Sequence, residues 1–315
     1  MTLRTPNPYR SYQTHVDLQR SKERLGIMQQ QIAKGERIIR VSDDPSGASL
    51  IMDFQTSIER NKMYVKQGEA ASSFLKGTET ALSSVDTQID RLLELGQQGL
   101  NDLNANRGRD AMSAEIDGIL KTLFDVSNTK EQGKYIFGGT NTTIRPFEFD
   151  PAFDWTNPSS KAVTYYGNLG NIDIAISSTA NITSNLSGEL VFQGSRDSGG
   201  NLDPDQDLFI QVSKLRDAMT ANDRAEIQNA YDNIRKIKER VNVNIAVVGN
   251  RHVQLEDSAV NLEDFNEALQ SIQNTYNEVD YPWTISRWSE EQNAQQAALA
   301  TIGRMGNFSL FDYIG

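Results

Sequence analysis

The chain has 315 residues, a formal net charge of −11 and no cysteine. This length allows one elongated unit or two to three compact domains. The acidic balance argues against a nucleic-acid-binding surface. The absence of cysteine excludes disulfides, thiolate nucleophiles and cysteine-ligated metals. Only two histidines occur, His15 and His252, so the sequence also argues against histidine-based catalysis and metal binding.

The first predicted element is a helix over residues 10–35. Leu18, Leu25 and Ile32 recur every seven residues, with Met28 between them, which is typical of a coiled-coil seam. The stripe is thin and diluted by glutamine, so this helix is expected to be weak in isolation. No apolar core of signal-peptide length precedes it, so no Sec-type signal is predicted. No stretch of the chain reaches the roughly 18 apolar residues of a membrane span.

The longest helical pattern covers residues 46–104. One heptad position holds Phe54, Leu75, Leu82, Ile89 and Leu103, and the complementary position holds Tyr64, Ala71, Val85 and Leu92. At 1.5 Å per residue such a helix is on the order of 80 Å long, and it needs a partner along its length. Asn61, Gly68, Gly96 and Gly99 fall on the same seam, so parts of the seam are expected to pack loosely.

A turn is predicted at residues 105–110, followed by a helix over 110–127 with Met112, Ile116, Ile119, Leu123 and Val126 on one face. Residues 134–204 are then rich in glycine, asparagine, serine, threonine and aromatics. Within them "AVTYYGNLGNIDIAIS" predicts two strands joined by a Gly-Asn turn. The stretch "GELVFQG" predicts another short strand. These residues are expected to form a small β-rich insert.

The helical period returns from Asp205. The first apolar stripe contains Leu208, Val212, Leu215 and Met219, and the next contains Ile227, Ile234, Ile237 and Val241. A long heptad run follows. One of its positions holds Leu255, Leu262, Leu269 and Tyr276, and the complementary position holds Phe265, Ile272 and Val279. Pro282-Trp283 is expected to break or kink this run. A last helix follows, with Ile285, Trp288, Leu299 and Ile302.

The order of elements predicts a mainly α fold with a β-rich insert. The run at 46–104 is expected to pack antiparallel against the run at 250–280, as a long coiled-coil or bundle rod. Both termini then lie together at one end and the insert lies at the other. The amphipathic ends are expected to order only on assembly, through a seam of Leu18, Leu25, Ile32, Leu299, Ile302, Phe308, Leu310, Phe311, Tyr313 and Ile314.

The stretch Ser42-Asp43-Asp44-Pro45 carries two adjacent carboxylates. An acidic N-cap followed by proline at the first helical position is a helix start, and both carboxylates favour the positive end of the helix dipole. The alternative is a metal site, but the local sequence supplies no further carboxylate or histidine. We therefore predict a helix cap here, and no metal ion or cofactor anywhere in the chain.

Other chemical signals are sparse. His252 lies near Glu256 on a predicted helix, which favours a solvated helical contact over a catalytic dyad. The sequence has no nucleophile elbow, zinc-protease motif or Walker loop. Three glycosylation triplets, at Asn141, Asn181 and Asn185, are interpreted as chance matches. A secreted enzyme or carbohydrate-binding module carried on a coiled coil is kept as an alternative from another class.

Several segments together resemble one family. "IAKGERIIRVSDDPSGASL" resembles the signature of the flagellin superfamily, and its Ser-Asp-Asp-Pro form is similar to the L-type, or hook-associated protein 3 (FlgL), family. "YIFGGT", "YYGNLGNIDIAI" and "NLSGELVF" are similar to that family's outer domain. The ending "QAALATIGRMGNFSLFDYIG" resembles its Leu-Phe-(Asp/Asn)-Tyr terminus. The chain departs from the family at "NEVDYPWTISRW", where small and acidic helix formers are usual.

The resemblance implies a non-enzymatic structural protein of the bacterial flagellum that joins hook to filament. It implies a terminal helical domain (1–40 and 285–315), a long helical domain (41–134 and 205–284) and an outer β-rich domain (135–204). It further implies flagellar type III export with a chaperone, and an extracellular ring of about eleven copies. The ring would lie between a FlgK-like hook-side junction protein and flagellin or the filament cap, without nucleic acid or membrane insertion. The alternative within the superfamily is a minor flagellin that forms the filament itself.

Overall fold

The computed structural model describes residues 8–101, 106–149, 163–196 and 199–311. The helices are α1 (Pro8–Lys34), α2 (Pro45–Leu100), α3 (Asn106–Ser127), α4 (Leu208–Ala221), α5 (Arg224–Asn277) and α6 (Tyr281–Phe311). The strands are β1 (Lys130–Glu131), β2 (Lys134–Tyr135), β3 (Phe147–Phe149), β4 (Val163–Tyr165), β5 (Asp173–Ala175) and β6 (Asn181–Thr183), and a π-helix spans Glu189–Gln193. The mainly α fold with a β-containing insert is as predicted.

The chain divides into two compact units. The first contains Met1–Arg60 and Asp264–Gly315, and the second contains Asn61–Glu263. The three-domain division expected from the resemblance uses other boundaries and remains a proposal. The central part of the predicted seam is buried in the second unit, as the heptads predict: Leu75, Leu82, Val85, Ile89 and Leu92 of α2 lie with Ile116 and Leu123 of α3, Val212 and Leu215 of α4, and Ile227, Ile234 and Val241 of α5.

Within the second unit, α2 runs antiparallel to α5. Near one end of the pair, Ser72 Oγ lies 3.0 Å from His252 Nδ1. Farther along α2, Asp90 pairs with Lys238 of α5. The loose seam expected at Gly96 is wrong, because Tyr231 packs so close that a methyl group at Gly96 would lie 2.9 Å from its ring. The glycine allows close helix approach instead of leaving a gap.

The heptad run after Leu255 is the C-terminal part of α5 and not a separate helix. Leu269 is buried as predicted, but Phe265, Ile272 and Tyr276 are exposed, with Phe265 54% exposed. The predicted pairing of this run with residues 46–104 therefore leaves these three side chains uncovered within the chain. The heptad spacing indicates an apolar stripe, and it cannot distinguish a partner within the chain from a partner outside it.

The predicted hairpin between residues 163 and 177 does not form. Instead, β4 pairs with β3, placing Tyr165 opposite Phe147, and β5 pairs with β6, placing Ile174 opposite Ile182. The loop between β4 and β5 is anchored to an earlier part of the insert, because Asn168 Oδ1 accepts a hydrogen bond from the Thr140 backbone N–H at 2.9 Å. The Gly-Asn stretch is a loop, as predicted, but the strands on either side of it pair with β3 and β6 and not with each other.

The predicted strand at "GELVFQG" is also wrong, because Glu189–Gln193 forms a π-helix. A strand would direct neighbouring side chains to opposite faces, whereas Val191 and Phe192 are both fully buried. Phe192 lies in an aromatic cluster, with ring centroids 5.1 Å from Phe137, 5.3 Å from Phe147 and 5.7 Å from Phe209. This cluster joins the insert to α4.

Asp207 caps α4 from a buried position. Its Oδ1 accepts a hydrogen bond from the Ile210 N–H at 3.1 Å, and its Oδ2 accepts one from Gln193 Nε2 at 3.1 Å. Burial raises the pKa of Asp207 to about 6, although these hydrogen bonds and the nearby charge of Arg240 oppose the rise. The Arg240 guanidinium donates its hydrogen bonds to the carbonyls of Val191 and Gln206.

The stability of the second unit is expected to depend on the protonation of Asp207. The folded-state pKa of Asp207 exceeds the ordinary value of 3.8. Its contribution to the free energy of unfolding is therefore full below pH 3.8 and is lost as the pH rises to about 6. The expected change is about 3 kcal/mol. Asp207→Asn is expected to remove this component from the unfolding free energy measured by urea titration at several pH values. An unchanged pH dependence in the variant would contradict this assignment.

Candidate functional site at the paired helix breaks

In the first unit, the break between α1 and α2 lies against the break between α5 and α6. Gly35, which has a positive φ of 73°, ends α1. The Arg37 N–H donates to the carbonyl of Asn277 at 2.6 Å, and the Val279 N–H donates to the carbonyl of Gly35 at 3.1 Å. The Ile38 N–H donates to the Asn277 side chain at 3.0 Å. The two connections are therefore hydrogen-bonded to each other, although they lie about 240 residues apart in sequence.

Asp44 is at the centre of this site. Its Oδ1 accepts hydrogen bonds from the Gly47 N–H at 3.0 Å and from the Ser46 hydroxyl at 2.9 Å, so it caps α2. Its Oδ2 lies 3.2 Å from both terminal nitrogens of Arg37. The Gly47 N–H, followed by Ser46 and Arg37, holds the pKa of Asp44 below its usual value. The Arg37 Nε also donates to the carbonyl of Tyr276 at 3.3 Å, so one guanidinium links the cap to α5.

The other residues of the predicted capping motif lie in the same turn. Asp43 Oδ2 accepts a hydrogen bond from the Arg40 N–H at 3.0 Å, Ser42 is exposed, and Pro45 is the first residue of α2. Among the described residues, no group of three or more histidine and carboxylate side chains is placed to hold a metal ion. The contacts of both carboxylates are those of turn and cap residues.

The charge of Asp44 is expected to matter in acid. Because its pKa is lowered from 3.8, its contribution to stability is present above that pH and is lost as the pH falls further. Asp44→Asn retains an oxygen that can cap the helix, but it loses the negative charge that pairs with Arg37. We therefore expect the thermal midpoint of the variant to fall less than that of the wild type on acidification below this value. Asp43→Asn, which changes the net charge equally, is the control and is expected to behave as wild type.

The helices α1 and α6 also pack antiparallel in the first unit. The Arg24 Nε donates to Glu291 Oε1 at 3.1 Å, and Ser21 of α1 and Thr284 of α6 are buried. The hydrogen bonds from Arg24 and Ser21 lower the pKa of Glu291. The described part of this pair contains no fully buried large apolar side chain, so few apolar contacts hold it together.

The residues of the predicted assembly seam are only partly covered in this pair. Leu18, Leu25, Ile32 and Ile302 are half-buried, and Leu299 is 47% exposed. Phe308, Leu310 and Phe311 belong to the helical backbone of α6, but their side chains lie outside the described residues. Tyr313 and Ile314 lie outside the described part of the chain altogether.

The break at Pro282, expected from sequence, is a second capped helix start. The α6 helix begins at Tyr281, and Asp280 accepts a hydrogen bond from the Trp283 N–H at 3.1 Å. Sequence reasoning did not identify Arg37, Asn277 or Asp280 as site residues. For Asp280 a weaker signal was available, because an aspartate with proline two positions later can also cap a helix whose first turn contains the proline.

Elsewhere, His252 Nε2 lies 3.5 Å from Glu256 Oε1, while the other ring nitrogen faces Ser72. This geometry is a contact between two packed helices. Among the described residues, no helix combines the length and apolar character that a membrane span requires.

Known proteins of the bacterial flagellum are similar to this chain in sequence. The family described as the bacterial flagellin N-terminal helical region matches residues 7–142. Flagellar hook-associated protein 3 of Escherichia coli is 24% identical over 298 residues, covering 90% of each chain. Flagellin of Salmonella typhimurium is 27% identical, but over only 41% of this chain and 26% of its own length.

Solved structures show the same fold. A putative flagellar hook-associated protein from Vibrio parahaemolyticus aligns with a TM-score of 0.63 and 18% identity, over 75% of this chain and all of that one. The flagellar junction protein FlgL from Legionella pneumophila aligns with a TM-score of 0.58 and 16% identity, over 74% of this chain. The chain therefore resembles bacterial flagellin in its N-terminal helical region, and it is similar over nearly its whole length to flagellar hook-associated protein 3.

Proposed function

We propose that this chain is a structural protein of the bacterial flagellum that joins the hook to the flagellin filament. The observation that carries the proposal is the share of each chain over which the sequences are similar. Similarity to hook-associated protein 3 extends over 90% of both chains, whereas similarity to flagellin is confined to 41% of this one. The relatives are structural proteins by name, and the described site contains helix caps and helix-pairing contacts. A catalytic activity is therefore not part of the proposal.

The finer parts of the proposal concern assembly. The protein would leave the cell through the flagellar type III channel, held beforehand by a chaperone, and would form a ring of about eleven copies. Its neighbours would be a FlgK-like protein on the hook side and flagellin or the filament cap on the other. The partly covered seam of α1 and α6 supports a role for the termini in these contacts, since half-buried leucines gain apolar burial when neighbours cover them.

Deletion of the gene in the source bacterium tests this function. We expect cells with bare hooks, seen by electron microscopy, and flagellin shed into the medium, with both defects reversed by the intact gene. The second candidate is a minor flagellin, which the partial flagellin similarity keeps open. Under that alternative, the deleted strain retains attached filaments of altered length or composition. Attached filaments of wild-type appearance would contradict both candidates.

The weakly covered terminal pair is expected to order only on assembly. Fixing a residue costs about 1–2 kcal/mol of backbone entropy, and the described part of α1 and α6 buries no large apolar side chain fully to offset it. Amide hydrogen exchange on the purified monomer is expected to be fast in residues 1–40 and 285–315 and slow in the central part of α2. Slow exchange at both ends of the monomer would contradict ordering on assembly.

A further inference from the structure

Gln193 is a buried glutamine that links three elements of the second unit. It is the last residue of the π-helix and is 3% exposed. Its Nε2 donates one hydrogen bond to the carbonyl of Val163, the first residue of β4, at 3.1 Å. The same nitrogen donates a second hydrogen bond to Oδ2 of Asp207, the N-cap of α4, at 3.1 Å. One side-chain nitrogen therefore connects β4, the π-helix and α4.

The oxygen of the same amide is buried without a hydrogen bond. Gln193 Oε1 has no partner in the described part of the chain, and a buried acceptor that lacks a partner carries an uncompensated desolvation cost. The oxygen and nitrogen of a glutamine amide exchange places when the group rotates by half a turn, with almost no change of shape. Gln193 therefore has a second orientation in which its donor and acceptor are reversed.

The protonation of Asp207 decides which orientation is favourable. When Asp207 is ionised, both of its oxygens accept: Oδ1 from the Ile210 N–H at 3.1 Å and Oδ2 from Gln193 Nε2. When Oδ2 is protonated it becomes a donor, and two donors then face each other. Rotation of the amide brings Oε1 into position to accept this proton. The cap at Oδ1 is kept in both states.

This rotation has a consequence for β4. Gln193 Oε1 would take the place that Nε2 now holds, 3.1 Å from the Val163 carbonyl oxygen. Two acceptors at this distance repel each other, so the hydrogen bond to β4 is lost. We propose that protonation of Asp207 rotates the Gln193 amide and thereby releases β4 from the π-helix, as a pH-sensitive switch between the insert and α4.

The charges around Asp207 set the pH at which the switch operates. Burial raises the pKa of Asp207 to about 6, and the nearby charge of Arg240 opposes this rise. We therefore expect the switch to operate in mildly acidic solution. The titratable and charged groups on the surrounding elements are Arg240 and Lys236 on α5, Glu189 and its ion-pair partner Arg196 at the π-helix, Tyr165 on β4, Asp203 and Asp205 before α4, and Lys214 on α4.

NMR of the purified full chain with 15N-labelled glutamine tests the rotation. The side-chain amide signal of Gln193 is assigned as the one missing from Gln193→Leu, and it is expected to shift in a single transition near pH 6. Gln211 is also fully buried, but its Nε2 donates to the Pro204 carbonyl at 2.8 Å, so its signal is the internal control and should not follow that transition. No transition at Gln193, or the same transition at Gln211, would overturn the proposal.

Hydrogen exchange, corrected for the intrinsic effect of pH, tests the release of β4. Loss of one hydrogen bond is expected to lower the protection of the β3–β4 amides about threefold to tenfold on the acidic side of the transition. The β5–β6 pair in the same insert is the control and is expected to keep its protection. Unchanged protection in β3–β4, or equal losses in both pairs, would overturn the release.

Asp207→Asn is the variant expected to fix the switch in its acidic state. The asparagine Oδ1 still caps the Ile210 N–H, so its Nδ2 takes the place of Oδ2 and donates to Gln193. We expect no transition at Gln193, and low β3–β4 protection at neutral pH as well. Asp205→Asn, at an exposed position of the preceding loop, is the matched control and is expected to keep the wild-type transition.

A transition at Gln193 that persists in Asp207→Asn would assign the proton to another group and overturn the proposal. Circular dichroism confirms that each variant retains its helices, and the two measurements on the wild-type chain stand without any variant. All of these experiments use the free chain, so their outcome is independent of the gene deletion that tests the proposed function.

Discussion

Gly139→Ala is expected to destabilise the insert by about 2–5 kcal/mol. Gly139 has a φ of +70°, and a left-handed backbone costs other residues roughly 1–2 kcal/mol. A methyl group there would also overlap the backbone carbonyl oxygen of Asn168. Overpacking adds about 1–3 kcal/mol, and backbone atoms cannot move aside as a flexible side chain can. Urea unfolding monitored by tyrosine and tryptophan fluorescence measures the loss.

Gly133→Ala is the matched control for this prediction. Gly133 also has a positive φ, of 80°, but a methyl group there would meet no atom within 4 Å. Its substitution is expected to cost only the backbone part, roughly 1–2 kcal/mol. Equal losses in the two variants would mean that the approach of Asn168 is unimportant.

Phe192→Ala is expected to destabilise the second unit by about 3–5 kcal/mol, the usual cost of removing a buried aromatic ring. Phe192 is fully buried and its ring contacts Phe137, Phe147 and Phe209. Its loss would leave a cavity between the insert and α4. Chemical unfolding measures the effect, and hydrogen exchange is expected to quicken in β3 and the first turns of α4.

Leu190→Ala is the control within the same π-helix. Leu190 is 39% exposed, so its truncation is expected to cost much less than that of Phe192. If the two substitutions cost the same, the aromatic cluster would not be what fixes the insert to α4.

The helical core could be predicted from the sequence because its signal is local and repetitive. Leu75, Leu82 and Ile89 are spaced by seven residues, and all three are fully buried. The same rule placed Phe265 and Ile272 on the seam of the predicted helix pair, although they are exposed. A heptad indicates an apolar face on a helix, and whether a partner exists within the same chain depends on distant residues.

The insert was predicted poorly for a related reason. Tyr165 pairs with Phe147, and its hydroxyl donates to the Phe137 carbonyl at 2.9 Å. Both partners lie before Tyr165 in the sequence, whereas the Gly-Asn turn signal lies after it, so the local signal pointed to the wrong strand. The π-helix at Glu189 has no sequence period of its own that would distinguish it from a short strand.

Part of the candidate site could be predicted from the sequence. The Asp44-Pro45 pair predicts a helix start, and α2 begins there. The contact of this cap region with Asn277 and Tyr276 could not be predicted from the sequence. A hydrogen bond from Arg37 to a backbone carbonyl requires no particular residue type near either position. The assembly seam remains a prediction, and its last residues lie outside the described chain.

The position of the protein along the flagellum tests the central claim most directly. A Ser178→Cys variant, which carries the chain's single thiol on an exposed loop, replaces the wild type in the source bacterium and is labelled with maleimide-linked gold. In electron micrographs we expect one cluster of label per flagellum, at the boundary between hook and filament. Label distributed along the filament, or intact flagella that contain none of the labelled chain, would contradict a position at the junction.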